Sequence, residues 1–233
     1  MIFTGARLFD GSRFLTGQAL VVRAGRIHAL LPEHEAPAGE RVALGGGVLA
    51  PGLVDLRACP AEGPLCAADN LPRHLAQLCA GLGRRGVTSV LPLIGLAEGA
   101  ALRGVLAAGV VAVGRVPGLA GLHLSVSAAP LSDDMIDTLC EARAGLPALM
   151  LTLPPGAANP AQTARLRTTG LVLAPPEAPA PKGLPARLVA SAEAAALIDA
   201  PAGRLAPGLP ADLVHLTEAG QPARVWRRGV VLD

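Results

Sequence analysis

A metal-activated water needs imidazoles or carboxylates converging on one cation, and a further carboxylate to move the proton. The chain has five histidines, His28, His34, His74, His123 and His215, and no two are close in sequence. Only His123 lies in an apolar run of parallel-strand type, Leu119 to Ser125. A lone imidazole there is expected to be a hydrogen-bonded core residue. Cys59 and Cys66, separated by six residues, lie in the stretch Arg57 to Asn70 that follows a predicted strand, at the end where α/β folds place their sites. Two thiols and His123 could hold zinc, but the spacing is not that of a metal knuckle, so no metal is expected. Arg57, a strand-end guanidinium, suits a phosphate or carboxylate bidentately; its other use is a salt bridge to a neighbouring loop. The ligand-binding candidates are therefore Arg57, Cys59, Cys66 and His123, and the residual catalytic candidates are His123 and Ser125.

Two further patterns are structural. Gly81-Leu-Gly-Arg-Arg-Gly86 satisfies GxGxxG, but it follows a predicted helix and precedes a strand, the reverse of a phosphate-binding turn. Asp133 and Asp134 stand at a helix start, where carboxylates suit the helix dipole.

The elements that must position these groups fall into two kinds. Residues 1–50 are short β-prone pieces: Met1 to Leu8, Ala19 to Val22, Arg26 to Leu31, and Arg41 to Ala50 around the Gly45-Gly46-Gly47 bend. They predict a small antiparallel β unit. Leu213 to Leu216 and Arg224 to Val231 have the same character, so both chain ends are expected to share one sheet or sandwich. Between them strand and helix alternate, which predicts a parallel α/β core. The strands are Gly52 to Arg57, Val87 to Leu93, Leu119 to Ser125, Leu146 to Leu153 and Leu171 to Ala174. The helices are Leu71 to Arg85, Ala97 to Ala108, Asp133 to Arg143 capped by Ser132, Pro160 to Arg167 capped by Asn159, and Ala190 to Leu197. Pro175 to Pro185 reads as an irregular connection, and Gly104 to Val113 as a helical segment apolar on every side. The domains expected are residues 1–50 with 201–233, and residues 51–200.

With 233 residues, 51% hydrophobic and 16% charged, the chain can bury a sizeable core. A net charge of +2 without a basic run excludes a nucleic-acid footprint. Four cysteines without CxxC pairs predict a reducing compartment. The N-terminus lacks a signal-peptide pattern, and a cytoplasmic location is expected. No membrane span is expected either, because the longest uncharged run, Ala144 to Ala164, holds Pro147, Pro154, Pro155 and Pro160.

A closed eight-unit barrel takes roughly 250 residues, whereas Pro51 to Ala200 offers 150. About five βα units fit, so the fold expected is a truncated, open barrel-like α/β core plus the β-sandwich.

Gly47-Val-Leu-Ala-Pro-Gly-Leu-Val-Asp55 and the C-terminal Gly203-Arg-Leu-Ala-Pro-Gly-Leu-Pro-Ala-Asp-Leu-Val-His-Leu216 resemble the amidohydrolase superfamily, in which a sandwich from both chain ends flanks a barrel. Gly86-Val-Thr-Ser-Val-Leu-Pro-Leu93 and Gly121-Leu-His-Leu124 look most like its N-acetylglucosamine-6-phosphate deacetylase branch. The resemblance implies a His-x-His metal pair where this chain has Arg57 and Cys59, and a metal-binding glutamate where it has Ser125. The later histidines and the acid/base aspartate of the family have no match, since they belong to a barrel half without counterpart here. The reading is a degenerate deacetylase-like amidohydrolase without metal or other cofactor, with a ligand-binding or association role. It is expected to be a homodimer that takes a small anionic or sugar-phosphate ligand. The alternatives are an active amino-sugar deacetylase with a rebuilt or subunit-shared site, and a structural subunit partnering a full-length homologue.

Overall fold

The computed structural model describes residues 1–60, 65–66, 70–96, 101–126, 130–174 and 181–232. The strands of the first part are β1 (Ile2–Thr4), β2 (Arg7–Phe9), β3 (Phe14–Leu15), β4 (Gln18–Arg23), β5 (Arg26–Pro32), β6 (Arg41–Ala43) and β7 (Val48–Pro51). Then come β8 (Leu53–Ala58), β9 (Leu65–Cys66), α1 (Leu71–Gly83), β10 (Val87–Leu96), α2 (Leu102–Val113), β11 (Leu122–Val126), α3 (Asp133–Arg143), β12 (Leu149–Thr152), α4 (Pro160–Thr168) and β13 (Val172–Leu173). The chain closes with α5 (Leu184–Leu197), β14 (Leu213–Leu216), β15 (Pro222–Arg227) and β16 (Val230–Leu232). Among the described residues no helix is long and apolar enough to cross a membrane.

The chain divides into two compact units. The first takes Met1–Val54, Leu82–Ser89 and Ala180–Asp233. Its sheets are ordered β5-β4-β1-β6 and β16-β15-β14-β7-β2-β3, the second drawing strands from both ends of the chain. Phe3, Leu20 and Ile27 of one sheet pack with Leu8, Leu49, Leu213 and Trp226 of the other. The Phe3 and Trp226 rings meet edge to face at 5.0 Å, so the two sheets form a sandwich. The N-terminal strands are mixed where antiparallel pairing was expected: β1 runs parallel to β6, and β2 parallel to β7. The cause is a change of sheet at each glycine bend. Gly5 (φ 77°) parts β1 from β2, and Gly45 to Gly47, all at positive φ, part β6 from β7. A Cβ at Gly47 would lie 2.2 Å from the Leu216 carbonyl oxygen, so only glycine fits there. Helix α5 also belongs to this unit: Leu188 joins Phe9, Val48 and Val214, and the Ser191 hydroxyl accepts from the Val54 amide at 2.8 Å.

The second unit, Asp55–Gly81 with Val90–Pro179, carries most of the parallel sheet, whose strand order is β13-β12-β11-β10-β8 with β9 also on β10. Strands adjacent in sequence are adjacent in space, with a helix in each connection from β10 to β13. Right-handed crossovers without a reversal of strand order put every helix on one face, so the sheet curls as in a barrel rather than lying between two helix layers. Between β13, ending at Leu173, and α5, starting at Leu184, there is no room for another βα unit of about 30 residues. The fold is thus a curled parallel half-barrel joined to a sandwich.

Two helices keep their sequence-read starts because their caps are explicit. The Ser132 hydroxyl accepts from the Met135 amide, and Asn159 and Gln162 form a reciprocal capping box. Helix α2 instead lies at Leu102–Val113, later than Ala97 to Ala108; residues 97–100 lie outside the described residues. It buries one stripe, Leu102, Val105, Leu106, Gly109 and Ala112, while Val110 and Val111 are 38% and 50% exposed, so a helix with almost no polar face is covered on one side only. Helix α5 begins at Leu184 rather than Ala190, because Pro185 fits a first turn.

Candidate functional site

Three successive cross-strand rows organise the carboxyl end of the parallel sheet. Leu93, His123, Met150 and Val172 form one row, Ile94, Leu124, Leu151 and Leu173 the next, and Gly95, Ser125 and Thr152 the third. Because side chains alternate along a strand, the first and third rows share a face. His123 therefore stands two rows below Ser125 and Thr152, on the same side as both.

His123 is fully buried. Its Nδ1 lies 2.6 Å from the Leu56 carbonyl oxygen on β8, and its Nε2 lies 2.8 Å from Thr152 Oγ1 on β12. A carbonyl only accepts, so Nδ1 carries the hydrogen and donates. Nε2 of the neutral ring is then bare, and the Thr152 hydroxyl donates to it. Burial holds the imidazole below its usual pKa; the Leu56 hydrogen bond opposes this, and of the nearby charges Arg57 adds to the lowering while Asp55 works against it. The ring is neutral at pH 7, and both nitrogens are used within the sheet.

Asp55 and Arg57 share a face of β8 by alternation. The Asp55 carboxylate accepts from the Arg57 amide at 2.9 Å, a local turn near the end of the strand. Arg57 and Cys59 are exposed at this end, while Asp55, Ser125 and Thr152 are half-buried. Cys59 is a free thiol. Cys66 pairs through its backbone with Gly95, in the Ser125 row; its side chain lies outside the described residues. The structure places Arg57 and Ser125 toward the carboxyl ends of β8 and β11, and His123, the second residue of β11, on the Ser125 face with its ring hydrogen-bonded to β8 and β12. Thr152 and the Leu56 carbonyl are additions. Thr152 has one signal in the sequence: it is the polar residue that closes an apolar strand.

A hydrolytic metal does not fit this set. A guanidinium does not ligate cations, Ser125 is a poor ligand, and the His123 nitrogens are engaged. Among the described residues no three His, Cys, Asp or Glu side chains converge on a point.

No family model and no curated protein sequence matches the chain. Solved structures do. The N-acetylglucosamine-6-phosphate deacetylase from Pasteurella multocida aligns over 99% of this chain and 98% of its own, with a TM-score of 0.69 at 12% identity. The Thermotoga maritima deacetylase aligns over 100% and 99%, at 0.65 and 13%, and the Mycobacterium smegmatis one over 100% of both chains, at 0.62 and 16%. An amidohydrolase from Thermotoga maritima reaches 0.52 at 16% identity.

The fold is that of the amidohydrolases. At such identities the likeness is one of architecture, and within the amidohydrolase fold the site residues stand on their own geometry.

The remaining patterns are structural. The glycine-rich run closes α1 and turns into β10 at Gly86, with φ 90°. Asp134 pairs with Arg103, and Asp133 accepts from the Gln162 amide at 2.8 Å, tying α3 to its neighbours.

Proposed function

We propose that the chain is a non-hydrolytic derivative of the N-acetylglucosamine-6-phosphate deacetylase fold. It binds a small anionic molecule of sugar-phosphate type at the carboxyl end of its parallel strands. The observation that carries this reading is the engagement of both His123 nitrogens beside a guanidinium, in the place where hydrolysis would need free imidazoles around a cation. Arg57 supplies a permanent positive charge for a phosphate, and Ser125 and Thr152 supply hydroxyls for a polyol.

The test has two arms. Deacetylation of N-acetylglucosamine 6-phosphate is expected to be undetectable with added zinc, iron or manganese, and elemental analysis after dialysis to find no tightly held divalent ion. Calorimetry with the same compound and with glucose 6-phosphate is expected to show binding that weakens on Arg57→Gln. Turnover that tracks protein concentration, or one metal per chain lost on Cys59→Ser, would overturn the non-hydrolytic half. Absence of binding to either compound would overturn the ligand half.

A further inference from the structure

The hydrogen-bond direction through His123 has a consequence at the mouth of the sheet. The Leu56 carbonyl forces the ring hydrogen onto Nδ1, at 2.6 Å, and leaves Nε2 as an acceptor facing Thr152 Oγ1 at 2.8 Å. A threonine hydroxyl has one hydrogen and two lone pairs, and that hydrogen is spent on Nε2. His123 is 0% exposed, so no solvent molecule can take the place of Thr152 and release its hydrogen. Reversing the chain would require protonating a ring that burial keeps neutral, or leaving the Leu56 carbonyl and Nδ1 as two facing acceptors. Thr152 thus has a fixed polarity, while Ser125, its cross-strand partner in the same row, carries no such constraint.

We propose that Thr152 is a specificity-determining acceptor: the group of a bound molecule that meets it must donate a hydroxyl or amide hydrogen. This inference rests on the ligand-binding reading above and narrows its class. A carboxylate, phosphate, ether or carbonyl oxygen turned toward Thr152 would bring lone pairs together, so the anionic group belongs at Arg57 and a hydroxyl or N–H at Thr152. Amino sugars and polyols bearing one phosphate satisfy both ends. Diphosphorylated molecules with an anion at each end do not.

The experiment uses the full chain. Long-range proton–nitrogen NMR on labelled protein is expected to show His123 with Nδ1 protonated and Nε2 bare; the opposite tautomer, or exchange between the two, overturns the fixed polarity. Calorimetry with N-acetylglucosamine 6-phosphate and glucose 6-phosphate then compares wild type with Thr152→Ser, which keeps the acceptor, and Thr152→Val, which removes it at equal volume. The serine variant is expected to bind within about threefold of wild type and the valine variant about tenfold more weakly, the value of one hydrogen bond. Inorganic phosphate, which needs only the Arg57 end, is expected to compete equally against both variants. A parallel loss for phosphate would make Thr152 merely structural and overturn the proposal, as would unchanged sugar-phosphate affinity in Thr152→Val. Failure of wild type to bind any of these probes removes the ligand-binding reading and this inference with it.

Discussion

The link between His123 and Thr152 can be measured as a coupling energy. Thr152→Val deletes a donor at nearly constant volume and orphans a ring nitrogen on a fully buried residue, which costs about 1–3 kcal/mol. His123→Leu orphans the Leu56 carbonyl and the Thr152 hydroxyl, the latter half-buried and so partly rehydrated, at a cost of about 2–4 kcal/mol. In the double variant the valine has nothing left to disconnect. Its added cost should fall near zero, giving a coupling of about 1–3 kcal/mol of the sign that makes the double variant more stable than the sum. Urea unfolding followed by a probe in the parallel sheet reads the cycle, and at about 2–4 °C per kcal/mol thermal melts read it too.

The cycle also has a pH signature. Burial lowers the folded pKa of His123 below 6.5, so below pH 6.5 the unfolded chain binds the proton more readily. The contribution of the group is complete above that value and is lost as the pH falls through the window toward the folded pKa. Wild type should therefore lose stability on acidification more steeply than His123→Leu. Additive single variants, within about 0.3 kcal/mol, would refute the His123–Thr152 hydrogen bond, and parallel pH profiles would refute the lowered pKa of His123.

Helix α2 offers a paired test. Gly104 has open space where a Cβ would go, so Gly104→Ala should stabilise by about 0.5–1 kcal/mol, whereas a Cβ at Gly109 would fall 2.3 Å from the buried Leu122 Cδ1 and Gly109→Ala should destabilise by about 1–3 kcal/mol; like signs in thermal melts would contradict the packing of α2 on β11. Truncation after Gly203 removes β14, which pairs with β7, so the N-terminal sheets should lose cooperative melting, and a soluble, cooperatively melting truncation would refute their shared folding. Exposed Val110 and Val111 on α2, together with a net charge of +2, lead us to expect a homodimer; a single 23.4 kDa species at all concentrations in sedimentation equilibrium would refute it.

How much was legible in the sequence varied with the range of the forces involved. Helices α3 and α4 were found nearly residue for residue, because Ser132 and Asn159 are local signals with local partners. Helix α2 slipped, because neither Ala101 nor Gly114 gives a side-chain cap and the apolar run has no polar face to set its phase. In the N-terminal part, Met1 to Leu8 reads as one piece but forms β1 and β2 in different sheets, and the expected antiparallel pairing holds for β1–β4 and β4–β5 but not for β1–β6 and β2–β7. Whether β1 and β2 stay in one sheet is decided at Gly5 by partners tens of residues away, Arg41 to Ala43 for one and Val48 to Leu49 for the other. At the site, His123 was legible as a satisfied core histidine because a polar residue in an apolar strand demands partners. The identity of those partners was not, since a main-chain carbonyl on β8 leaves no trace in residue type. Thr152 joins the site only once the register of β11 against β12 is known.

The resemblance implies a metal-binding histidine where this chain has Arg57, and such an exchange would do more than remove a ligand. A histidine there would be a neutral donor to a cation; a guanidinium is itself a cation, charged at every working pH. A divalent ion about 4 Å from it would meet a repulsion on the order of 8 kcal/mol at an effective dielectric constant of 20, enough to cancel a respectable metal affinity. The same charge attracts an anion by half as much per unit of negative charge. His123 completes the inversion: its ring, which could serve a metal only through a free nitrogen, instead hands one hydrogen to Leu56 and takes one from Thr152. On the proposed reading, the binding site then presents a cation at one strand and a fixed hydrogen-bond acceptor at another. Those are the two polarities needed to orient a molecule bearing an anion and a hydroxyl, and neither helps to activate a water.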